Sequence, residues 1–166
     1  MESNPHIKLQ QEIMSAFSRR SCVSAAMIVE DSGDYEEDMI REAFGGKRWQ
    51  DVSLGTVEQH YASLPLFTEK GFLSYLPCFM NAAIIFMQNG KIDSPVISFT
   101  VYELAGDRFD ANRQPEIVER AHGLNHMECS AVIKFLKLVI ADSRLSQLHL
   151  DAESSIPIWQ QLVPCK

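Results

Sequence analysis

The sequence is poor in the patterns that announce chemistry. It has no glycine-rich phosphate loop, no G-x-S-x-G and no H-E-x-x-H, so phosphate cradling, the serine nucleophile elbow and the zinc-protease helix have no carrier. Its four cysteines, Cys22, Cys78, Cys129 and Cys165, form no CxxC. A chain of this size does not depend on disulfides, and we read the four as reduced thiols of a cytoplasmic protein. The N-terminus MESNPHIKLQ lacks a basic start followed by an apolar core, so no secretory signal is expected. Basic residues are scarce, 15 against 22 acidic ones, for a net charge of −7. Nucleic acid is thereby disfavoured as the main ligand, because phosphate binding needs a basic face.

What is present is an ordinary globular composition, 46% hydrophobic and 22% charged over 166 residues, with room for one core. We read residues 1–166 as a single all-α domain of five to seven helices. Asn4-Pro5 caps a first helix to about Phe17, with Leu9 or Gln10, Ile13, Met14 and Phe17 on one face. Ser21 to Val29 reads as a strand or a loop that turns Val23, Met27 and Ile28 inward. Asp34 with Glu37 has capping-box spacing and opens a helix that buries Met39, Ile40 and Ala43 or Phe44. Gly45-Gly46 ends it. Thr56 to Ala62 is a short helix.

Gly71 to Gly90 carries no charge and approaches membrane-spanning length. Ser74, Pro77, Asn81, Gln88 and Asn89 interrupt it, and a buried central helix capped by Thr68 and bent near Pro77 explains it better. Ser94-Pro95 starts another element. Val96 to Tyr102 favours strand by composition and helix by its neighbours. Asp107 to Gln114 reads as a loop. Asn125 and Glu128 repeat the capping-box spacing ahead of a wide apolar stripe through Val132, Phe135, Leu136 and Val139. A last short helix from about Ser155 to Leu162 packs through Ile158 and Leu162.

The acidity is concentrated. Glu30, Asp31, Asp34, Glu36, Glu37, Asp38 and Glu42 face only Arg41, a net −6 within thirteen residues, while the other 153 residues carry −1. A solvated helix face accounts for this, with the acids favouring the helix dipole. The sharper reading makes Asp31, Asp34, Glu36, Glu37, Asp38 and Glu42 a docking surface for a basic partner. A calcium loop does not fit the spacing. His122 and His126 stand four apart, but Gly123 and the cap-like Asn125 separate them, so a shared zinc site is not expected. Cys78 and Cys129 sit among apolar residues, where thiols are inert packing. No catalytic residue, metal or cofactor is expected. If a hidden enzyme site exists, Tyr75, His60 and Glu103 are its candidates.

Ala43-Phe44, Trp49, Phe72-Leu73-Ser74-Tyr75-Leu76-Pro77-Cys78-Phe79 and the helix Asn125 to Leu138 resemble the pattern of a family of small uncharacterised bacterial proteins. The resemblance covers roughly residues 34–140 and implies a helical fold, with no catalytic residues to carry over. In general character the chain also resembles immunity proteins of bacterial toxin–immunity pairs, including those of type VI secretion effectors. That likeness implies a basic toxin partner, a nuclease among the options. The alternatives are a regulatory or self-associating scaffold domain, a homodimer included, and an enzyme with an unrecognised site.

Overall fold

A computed structural model describes residues 4–105 and 113–163. Its first helix, α1 (Pro5–Ala16), starts where Asn4 accepts a hydrogen bond from the His6 N–H. Leu9, Ile13 and Phe17 are buried, whereas Met14 is turned outward. An extended stretch leads into α2 (Ala25–Ile28) and then α3 (Tyr35–Phe44). The ambiguous segment from Ser21 to Val29 is thus extended at first and helical at its end. Val23 and Ile28 point inward as expected, and Met27 does not. Gly45 follows α3 because the chain passes α2 there; a Cβ would stand 2.7 Å from that of Ala25.

A 3-10 turn at Trp49–Asp51 precedes α4 (Leu54–Gln59), which Ser53 caps. The unbroken centre of the molecule is α5 (Glu69–Gln88), capped by the Thr68 hydroxyl. The helix continues through Pro77, whose ring removes one backbone donor without ending it. By length and composition α5 could cross a membrane, with mean hydropathy 1.3, yet 83% of that stretch is buried inside the protein. The region that balanced strand against helix is α6 (Pro95–Ala105). Next comes α7 (Arg113–Ala121), which the sequence reading did not anticipate. The expected loop at Asp107 to Gln114 lies mostly outside the described residues, and the helix begins within its last two. The chain ends in α8 (His126–Ala141) and α9 (His149–Leu162). Asn125 and Glu128 make both bonds of the capping box. The last helix is longer than expected, and Ala152, Ser155 and Trp159, rather than Ile158, form its buried side.

All nine α-helices among the described residues share one core, running from Leu9 to Trp159. α5 packs against α1, α2, α4, α6 and α7, while α8 and α9 pair with each other and cover α1 and α6 respectively. The count exceeds five to seven because α2 and α4 are only four and six residues long.

Helix ends leave carbonyls without intrahelical donors, and distant side chains supply them here. Trp49 Nε1 donates to the Phe17 carbonyl behind α1 at 3.1 Å. The Tyr75 hydroxyl lies 2.7 Å from the Phe44 carbonyl at the end of α3 and 2.8 Å from that of Lys47. Trp159 Nε1 donates to Leu104 in the last turn of α6 at 2.7 Å. Arg144 reaches the Met87 carbonyl near the end of α5 at 3.2 Å. These aromatic and arginine donors therefore fix how the helices end as well as how they pack.

Candidate functional site: the acidic face of α3

The carboxylate of Asp34 accepts from the Glu36 N–H and starts α3. Glu36, Glu37 and Asp38 fill the first turn, where negative charge suits the helix dipole. Helical periodicity then divides the residues. Ile40 and Phe44 are buried, and Glu37 and Arg41 lie on the same side at its margin. Tyr35, Asp38, Met39 and Glu42, at i, i+3, i+4 and i+7, form a continuous exposed strip. Tyr35 is 77% exposed and Met39 42%. Met39 was expected in the core; instead Ile40 fills the inward position one residue on, which turns Met39 to solvent. Met27, on the neighbouring α2, is 48% exposed. The strip is an aromatic and thioether surface bordered by carboxylates.

The six candidate acids do not share one role. Glu37 accepts from the Ser32 N–H at 3.0 Å and from its hydroxyl at 2.7 Å. Those bonds, ahead of the nearby Arg41, hold its carboxyl below the ordinary carboxylate range. Glu37 therefore braces the preceding loop rather than returning to the Asp34 N–H as a capping box would. Arg41 lies 2.9 Å from Asp38, 3.6 Å from Asp31 and 3.8 Å from Glu37, and donates to the Glu30 carbonyl at 2.7 Å. One guanidinium thus ties the loop to the helix and partly neutralises Asp31 and Asp38. Glu36 and Glu42 are exposed and form no ion pair among the described residues. With Asp34, which is exposed although it caps the helix, they carry the outward negative field.

The residues singled out for hidden catalysis do not converge. Tyr75 is fully buried, its hydroxyl is used by two carbonyls, and burial raises its pKa. His60 packs edge-on against Phe44 at 5.5 Å, and burial lowers its pKa although Glu36 opposes this. Glu103 lines a separate cleft of about 400 Å3, beside Arg120, Glu69, Glu116 and Glu119, which neither Tyr75 nor His60 enters. Arg120 spends its donors on the Pro65 and Phe67 carbonyls at 2.5 and 2.7 Å. His122 follows α7 and His126 opens α8, so the two do not share a helix. Among the described residues no group of three or more His, Cys, Asp or Glu side chains could hold a metal ion. Cys78 and Cys129 are buried, and burial raises both thiols, that of Cys129 to about 11. Thiolates are correspondingly rare at neutral pH.

The sequence reading found the acids of this face and missed its apolar members, Tyr35, Met39 and Met27. The signal was available for two of them, since 35, 39 and 42 fall on one side of a helix whose other side is 37, 40 and 44.

No curated protein and no solved structure matches this chain. Residues 11–163 match the family of unknown function DUF6714. That span takes in the second half of α1, the other helices among the described residues and the whole acidic face, and the chain belongs to that family.

Proposed function

We propose that this protein is a non-catalytic binding module that docks a basic protein through the outward face of α3. The observation that carries the reading is the exposed strip of Tyr35, Asp38, Met39 and Glu42. Tyrosine and methionine are enriched at the centres of protein interfaces, and rigid aromatic side chains often dominate their energy. Unpaired carboxylates around such anchors speed association with a positively charged partner and select against acidic ones. In its most concrete form the partner is a bacterial toxin with a basic working face, a nuclease among the options. This chain is then its cytoplasmic immunity protein.

The test is capture from a native bacterial lysate at low and high salt, with the wild type and an Y35A/E36K/E42K variant side by side. The reading predicts a basic protein that the wild type retains at low salt, that high salt weakens and that the variant loses. A partner held equally by both proteins would place the interface elsewhere.

A self-associating scaffold is the second reading, and one observation favours it. On α6, Phe99 and Tyr102 are 36% and 42% exposed, and Phe99 stacks edge-on with Tyr61 at 4.9 Å. A solution mass of twice 18.8 kDa that Phe99→Ser returns to monomer would support it.

A further inference from the structure

A groove of about 530 Å3 lies between the stretch Arg19 to Ser24, α2 and the start of α5. In a chain of net charge −7, the charged residues that line it are all cations: Arg19, Arg20 and Lys70. Arg20 is committed. It holds the Glu128 carboxylate with two nitrogens, at 2.6 and 2.5 Å, and donates to the Gly123 carbonyl. Arg19 and Lys70 have no ion pair or hydrogen bond from their side chains among the described residues.

Ser74 adds an independent observation. It stands one helical turn after Lys70, lines the same groove and is only 8% exposed. A buried helical hydroxyl ordinarily returns to the carbonyl four residues back, as Thr100 does to Val96 at 2.6 Å. The Ser74 hydroxyl makes no hydrogen bond among the described residues. Its oxygen is not among the buried unpaired side-chain atoms of the described residues, so it opens onto the groove, where an entering group can bond to it. Ser21 and Ser24 place two more hydroxyls at its edge, while Val23, Met27 and Leu73 make its walls apolar.

We infer that this groove binds a small soluble organic phosphate monoester with an apolar body. Two free cations match the dianion that such an ester carries at neutral pH, whereas a carboxylate would leave one cation uncompensated. Arg19 and Lys70 would hold the terminal oxygens, Ser74 would donate its hydroxyl, and the apolar walls would receive the rest of the molecule. The inference does not rest on the α3 reading, although Met27 borders both surfaces.

The experiment is a titration of the full chain with phenyl phosphate at pH 7.5, followed by NMR and calorimetry, with inorganic phosphate and benzoate as comparisons. Phenyl phosphate should bind more tightly than either. Lys70→Gln and Arg19→Gln should each weaken it by about tenfold, as loss of a charge-assisted hydrogen bond does. Ser74→Ala should weaken it less and leave the urea midpoint in place, while Glu42→Lys should leave binding unchanged. No saturable binding would overturn the inference. So would equal binding of benzoate, or affinity indifferent to all three groove substitutions.

Discussion

Two tyrosines on neighbouring helices are put to opposite uses. Tyr75 on α5 is fully buried and its hydroxyl closes the end of α3. Tyr35 at the start of α3 is 77% exposed, and its hydroxyl bonds to nothing among the described residues. A tyrosine costs stability when its polar tip is buried unpaired, and contributes little when its ring is left in water. The first arrangement is explained by the fold. The second is not required by the fold, and Tyr35 is the residue on which the proposed docking at α3 turns. The lesson is that function should be sought where the side chains exceed what folding requires.

That contrast can be broken by substitution. The largest effect should come from the interior. Trp159→Ala removes a fully buried indole and the donor to Leu104, and should cost about 3–5 kcal/mol in urea unfolding. Tyr75→Phe keeps the ring but strips a donor from the Phe44 and Lys47 carbonyls, and should cost about 1–3 kcal/mol in the same assay. A smaller effect should appear in the pH profile. Burial lowers the pKa of His60 from its ordinary 6.5, so the unfolded chain takes up that proton first as pH falls. The contribution is complete above about pH 6.5, declines below it, and levels off once the folded form protonates too. Urea midpoints between pH 8 and 5 should show the decline, and His60→Phe should flatten it. The smallest effect should come from the outward strip. Tyr35→Ala and Glu42→Lys should each change stability by no more than about 0.5 kcal/mol. An outward substitution that proved as damaging as Tyr75→Phe would erase the distinction.

How much of this was legible in the sequence depends on how each element is held. The cap at Asn4-Pro5, the Thr68 cap of α5 and the capping box of α8 read correctly because their signals are local. The helical state of Val96 to Tyr102 was undecided by local signals, because β-branched residues favour strand and only packing against α5 and α9 settles the matter. α7 escaped notice because, among its residues whose burial is described, Ile117 and Ala121 are the buried apolar ones, and polar residues dominate its sequence. On α3 the acids are plain, and Met39 and Ile40, both apolar and side by side, are told apart only by helical phase: Ile40 shares a side with Glu37 and Phe44, Met39 with Tyr35 and Glu42. The groove beside Lys70 was invisible because its parts lie some fifty residues apart along the chain and meet only in the fold.

The most direct test is a hydrogen–deuterium exchange footprint of the complex with the captured basic partner. The α3 reading predicts that protection gained on binding centres on residues 34–44 and extends to α2. Protection centred instead on α6, with α3 exchanging as in the free protein, would contradict it.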